Sequence, residues 1–98
     1  MDQNIFFREL EELERQFASQ KPELELTVRD GEVEGFVVVH NTLASIGGPL
    51  GRCGKGGTRI TPTVTLDEVK MLAQIMTLKN SAAGIPLGGA KSGMRADP

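Results

Sequence analysis

The chain has 98 residues, enough for one domain of ordinary size or a piece of one. Hydrophobic residues make up 39% and charged residues 24%, a balance that excludes a disordered, low-complexity chain. Eleven Lys and Arg against 13 Asp and Glu leave a net charge of −2, so no broad basic field invites nucleic acid.

The chain opens Met1-Asp2-Gln3-Asn4 without a basic region or a long apolar run, which argues against an ordinary secretory signal. From there Phe6, Leu10, Leu13 and Phe17 recur at helical spacing, with Arg8, Glu11, Glu12 and Arg15 between them. This predicts an amphipathic helix within residues 1–20, with Pro22 just beyond its end. Its apolar stripe requires a partner surface, in the same subunit or on another copy.

At Glu23 the period changes to two. Leu24, Leu26 and Val28 alternate with polar residues, and Asp30-Gly31 signals a tight hairpin turn. A two-residue turn there would set Val28 opposite Val33 and put Leu26 on one face with Val37 and Val39. The run Phe36-Val37-Val38-Val39 is apolar on both faces and predicts a strand deep in a sheet. It is also the longest aliphatic–aromatic run, far short of the ~20 residues of a membrane span. His40 closes the strand, without the carboxylate or cysteine spacing of a metal site.

Residues Gly47 to Gly57 form a glycine-rich connection carrying Arg52, Lys55 and, just beyond, Arg59. Glycine lets backbone approach a ligand closely and the cations suit an anion, although a flexible surface loop has the same composition. The single thiol, Cys53, cannot form an internal disulfide, which fits a reducing, cytoplasmic setting.

Thr65 is a good helix N-cap, and Glu68 completes a capping box. Leu66, Val69, Leu72, Ala73, Met76 and Ala83 then define a buried helix face, with Gly84 and Pro86 as stops. Lys79 falls at the margin of that face and Lys70 on the solvent side. The last segment runs Ile85-Pro86-Leu87-Gly88-Gly89-Ala90-Lys91-Ser92-Gly93-Met94. Small neighbours around Lys91 let an ammonium group approach a substrate and keep bulk water away, which suits proton transfer. The expected architecture is α/β: a layered domain with a mixed β-sheet flanked by helices. The sheet takes the hairpin, a strand near Gly57 to Thr61 and another near Gly88 to Met94, which ends the chain as an exposed edge.

Several familiar sites are absent from the sequence. Neither a P-loop nor the dinucleotide fingerprint G-x-G-x-x-G can be placed, there is no zinc-ligand pattern, and Tyr and Trp are missing. What does match is a set of three pieces in order. Lys55-Gly56-Gly57-Thr58-Arg59, Met76-Thr77-Leu78-Lys79 and Ile85 through Gly93 resemble the amino-terminal domain of the glutamate/leucine/phenylalanine/valine dehydrogenases. Lys79 follows Lys55 by 24 residues and Lys91 follows Lys79 by 12, as in the glutamate dehydrogenase pattern. Leu50-Gly51-Arg52-Cys53-Gly54 depart from that pattern, since members reach the Lys-Gly-Gly segment sooner.

The resemblance implies a dimerisation and substrate domain over 1–98, with the helix in 1–20 and the sheet-containing part in 23–98. The nucleotide-binding domain of the family has no counterpart in these residues. The implied activity is NAD(P)-dependent oxidative deamination of an L-amino acid, with glutamate favoured. Lys91 would be the catalytic lysine, Lys79 would bind the α-carboxylate, Lys55 would meet a side-chain carboxylate, and Met76 would line the pocket. NAD or NADP would serve the complete enzyme, with no cofactor or metal held by this chain alone. The expected partners are an L-amino acid or 2-oxo acid and further copies of the chain in a homo-oligomer, with no nucleic acid and no membrane. Two other readings compete: a non-catalytic oligomerisation module, and an unrelated anion-binding domain using Arg52 and Lys55.

Overall fold

The computed structural model of the chain describes residues 3–45 and 51–97. Gly47, Gly48, Pro49 and Leu50 of the glycine-rich connection, and Pro98, lie outside the described residues. In chain order the elements are α1 (Gln3–Ala18), β1 (Leu24–Asp30), β2 (Val33–Asn41), β3 (Gly54–Lys55), β4 (Thr58–Thr61), α2 (Leu66–Ala82) and β5 (Gly88–Arg95).

The hairpin forms, but its turn lies one residue later than expected and its pairing is shifted by two. Within the turn only Gly31 takes positive φ, at +61°, and no non-glycine residue does among those described. An Asp30-Gly31 turn of the doubly left-handed kind would force Asp30 into that region as well. The turn therefore centres on Gly31 and Glu32, and Asp30 pairs Val33. Val28 accordingly faces Gly35 rather than Val33, while Leu26, which pairs Val37, shares a face with Val37 and Val39 as the alternation predicts.

β5 is a central strand. It pairs antiparallel with β2 on one side and parallel with β3 and β4 on the other, while β2 carries β1 on its outer side. The expectation that the last strand would be an edge is thus corrected: the edges are β1 on one side and β3 with β4 on the other. Lys55 pairs Gly89 and Thr58 pairs Ser92, the same offset of 34 residues, so β3 and β4 are one strand in register interrupted at Gly56-Gly57. A Cβ on Gly56 would lie 1.6 Å from the Ala90 carbonyl oxygen. Gly56 thus serves close approach to β5.

α2 lies across one face of the sheet, linking β4 to its parallel neighbour β5. Phe36, Val38, Val64, Val69 and Ala73 form the buried core, with Leu66 packed against it. Gly93 sits under Val69 and Gly89 under Thr77, where an added Cβ would fall 2.1 Å from the Thr77 amide nitrogen. Helix and strand therefore touch through backbone. Of the expected helix face, Val69 and Ala73 are buried and Leu66, Leu72 and Met76 half-buried, but Ala83 is exposed and Asn80 takes a buried position instead.

The caps of α2 follow local chemistry. Thr65 accepts a hydrogen bond from the Glu68 amide at 3.2 Å. The Glu68 carboxylate turns to Arg59 at 2.6 Å, so the reciprocal half of the predicted capping box is not made. At the far end Gly84, at φ +70°, donates to Ser81, and Ile85 donates to Asn80 at 2.8 Å. This is the paired bond pattern of a Schellman stop. Lys70, expected in solvent, instead bridges to Glu25 of β1 at 2.8 Å, and that contact raises its pKa.

The second face of the sheet is open. Leu24, Leu26, Val28, Val33, Val37, Ile60 and Met94 are all exposed. The run Val37-Val38-Val39 therefore lies inside the sheet without being covered on both faces. α1 is also bare: Leu13 is 62% exposed, and only Phe17 reaches the body, edge-on to His40 with centroids 5.4 Å apart. The radius of gyration, 15.8 Å, exceeds the ~13 Å of a compact chain of this size because α1 projects.

Candidate active site

Strand register decides where the three lysines stand. Val38 faces α2 from β2, and Lys91 is its partner on β5, so Lys91 projects toward the helix side. On the same face Lys55 pairs Gly89, two residues from Lys91 along the neighbouring strand. Strand spacing and rise place the two Cα atoms roughly 8 Å apart. Lys91 is half-buried, and a Cβ on Gly57 would lie 3.3 Å from its Nζ. A side chain at position 57 would press on that ammonium group, and glycine leaves its flank clear.

α2 supplies the third lysine. Lys79 stands exposed in the last turn of the helix, with Met76 half-buried one turn earlier. The next residue, Asn80, ties this end of α2 to the sheet. Its Nδ2 donates to the Lys55 carbonyl at 3.1 Å and to the Gly88 carbonyl at 2.7 Å. Gly88 in turn donates its amide to Cys53 at 2.9 Å, while Ser92 beyond Lys91 donates to Gly57 at 3.0 Å. The β3, β5 and α2 ends that carry Lys55, Lys91 and Lys79 are thereby joined by named bonds. Asn80 was absent from the residues singled out in the sequence. A polar residue next to Lys79 resembles a solvated helix position, and its partners are backbone carbonyls that no sequence motif displays.

The remaining cations of the region are engaged. Arg52 lies 3.3 Å from Glu23 and Arg59 pairs with Glu68. Thr42 donates to Glu23 through its amide and hydroxyl, and these bonds, with Arg52, hold that carboxyl below its ordinary range against the opposing cost of burial. An anion site built on Arg52 would have to displace Glu23. A shallow cavity of about 170 Å³ is lined by Lys91 together with Gly56, Gly57, Ala90 and Ser92.

His40 is a structural residue. It is 2% exposed, and its Nδ1 lies 2.7 Å from Thr77 Oγ1, whose hydroxyl donates to Ala73. Burial pushes the His40 pKa down, partly opposed by Glu23. Cys53 is a half-buried free thiol. Among the described residues no cluster of three His, Cys, Asp or Glu could hold a metal ion. No described helix is long and apolar enough to cross a membrane.

Comparison with known proteins places this arrangement in a family. The chain belongs to the Glu/Leu/Phe/Val dehydrogenases: residues 18–98 match the dimerisation domain of that family. It is 51% identical over 65 residues to the NADP(+)-dependent glutamate dehydrogenase of Pyrobaculum calidifontis, covering 66% of this chain and 14% of that protein. To the glutamate dehydrogenase of Thermotoga maritima it is 46% identical over 79 residues, 78% of this chain and 17% of the relative. Among solved structures, a hetero-hexameric glutamate dehydrogenase of Thermus thermophilus in its leucine-bound form superposes with a TM-score of 0.68. That match has 30% identity and covers all of this chain and 27% of the other. The chain thus corresponds to the amino-terminal dimerisation domain of glutamate dehydrogenase-like enzymes and spans about a sixth of these curated relatives.

Proposed function

We propose that this chain is the substrate-binding and oligomerisation part of an NAD(P)-dependent L-amino-acid dehydrogenase, and that glutamate is its substrate. The observation that carries the reading is the placement of Lys55 and Lys91 on one sheet face, with their strands tied by Asn80 to the end of α2 that bears Lys79. Lys79 fixes the α-carboxylate from a rigid helix, and Lys55 receives the distal carboxylate of a C5 dicarboxylic amino acid. Lys91 approaches the reacting carbon, donating to the oxygen or water where negative charge develops and moving a proton there. Met76 lines the wall one turn before Lys79.

The nicotinamide cofactor accepts the hydride from the α-carbon when bound. The β4–α2 junction does not suit it. Thr61-Pro62-Thr63-Val64-Thr65 contains no glycine, and Val64 is fully buried, so a pyrophosphate has no close approach to backbone there. The domain reading keeps residues 1–98 as one dimerisation and substrate unit and assigns the cofactor to another domain of the complete enzyme. The bare stripe of α1 and the open sheet face favour a homo-oligomer, and the single free thiol favours a cytoplasmic setting.

The test is a graft of residues 18–98 in place of the corresponding segment of the Thermotoga maritima enzyme. The expected result is glutamate-dependent nicotinamide reduction. An assembled graft that oxidises leucine but not glutamate overturns the substrate assignment, and an assembled but inert graft overturns the site.

A further inference from the structure

Asn80 is 1% exposed and spends both protons of a single nitrogen on two backbone carbonyls from different strands. One of them belongs to Lys55. β3 is only two residues long, and the Lys55 carbonyl within it accepts from the Asn80 side chain, which ties this strand directly to α2. The backbone of Asn80 is fixed independently, because its own carbonyl receives the Ile85 amide in the helix stop. Rigidity at the end of α2 is thus transmitted through one amide group to the strand carrying Lys55 and to Gly88, three residues before Lys91.

Few side chains can do this. The two acceptors require two N–H groups from one uncharged atom in a closed space, which an Asn amide supplies at this length. Asp would set a carboxylate against two carbonyl oxygens, Ser would offer one proton, and Leu would match the volume and offer none. Carbonyls left unpaired seek other partners, and in an Asn80 variant the two-residue β3 would take up that shift.

We propose that Asn80 is a positioning residue that sets Lys55 at the distance from Lys79 and Lys91 that a dicarboxylic substrate requires, and so selects dicarboxylates over monocarboxylates. The inference rests on the lysine roles given under the proposed function. It goes beyond them in making selectivity depend on a side chain that touches no substrate.

The experiment measures binding of glutarate and of butyrate to the chain by chemical-shift titration, using wild type, Asn80→Leu, Asn80→Ser, Lys55→Met and the Asn80→Leu/Lys55→Met double variant. Asn80→Leu is expected to weaken glutarate at least tenfold and butyrate less than twofold. Asn80→Ser should fall between, and serves alone with Lys55→Met if the leucine variant does not fold. In the Lys55→Met background the Asn80 substitution should cost glutarate nothing further, since the group it positions is gone. A merely structural role predicts the opposite: both ligands weakened alike, or full additivity with Lys55→Met. Either result overturns the proposal. If wild type binds neither acid, the lysine roles themselves are wrong and the inference falls with them; wild-type binding with unchanged selectivity in the Asn80 variants removes the inference alone.

Discussion

At the scale of single residues, charge and close approach decide most of what the chain can do. In the graft, Lys55→Met should raise KM for glutamate by at least tenfold and leave leucine, if accepted at all, nearly unaffected. Equal losses for both would show that Lys55 meets no side-chain carboxylate. Gly89 is a packing residue with equally definite consequences. Gly89→Ala would drive a methyl group into the backbone of α2 and should cost about 1–3 kcal/mol in chemical denaturation. His40 gives the chain a pH response. Burial depresses its folded pKa, so below the ordinary value of 6.5 the unfolded chain takes up a proton that the folded one refuses. Stability is therefore complete above about pH 6.5 and is lost as pH falls through the folded pKa. Glu23, also depressed, adds a second loss that begins lower, below about 4.5. His40→Asn keeps a polar atom near Thr77 and should flatten the urea midpoint between pH 7 and 5. A variant as pH-sensitive as wild type in that window would remove His40 from the account.

At the scale of elements, the helix caps were legible because they are written in short-range chemistry. Thr65, Gly84 and Pro86 lie within a few residues of the groups they serve, and α2 begins and ends where they place it. Gly84→Ala should destabilise by roughly 1–2 kcal/mol, since alanine must adopt a left-handed conformation there. A thermal midpoint equal to wild type would show that the stop does not depend on that glycine. Alternation placed β1 and β2, and the three family-like segments placed β4 and β5. What alternation could not supply was order across the sheet. A glycine-rich strand such as β5 shows no burial pattern that separates centre from edge. Its central place is set by Gly89 and Gly93 packing beneath α2 and by Gly56 crossing Ala90, all long-range approaches. The hairpin turn slipped by one residue, and the pairing by two, for a local reason, since Gly31 takes positive φ and Asp30 does not. Asn80 was hidden because its function depends on two carbonyls distant in sequence from each other.

At the scale of the molecule, sixteen large hydrophobic residues stand exposed among the described residues. Five buried hydrophobic residues make the core, against a wholly exposed β1 and an α1 without a buried residue. Such surface in water favours association. Sedimentation equilibrium at micromolar concentration should therefore give a dimer or larger species; a monomer throughout that range would count against a role in assembly. The proposed lysine site, in contrast, places charge within the same small unit, and its proposed central residue is Lys91. No carboxylate pairs with Lys91 among the described ion pairs, so its charge contributes little to holding the fold. The most direct measurement is Lys91→Met in the grafted Thermotoga maritima enzyme, following kcat and the melting temperature together. Loss of several orders of magnitude in kcat at an equal or higher melting temperature is the predicted result, and near-normal turnover in the folded variant would contradict the assignment of this chain's chemistry to Lys91.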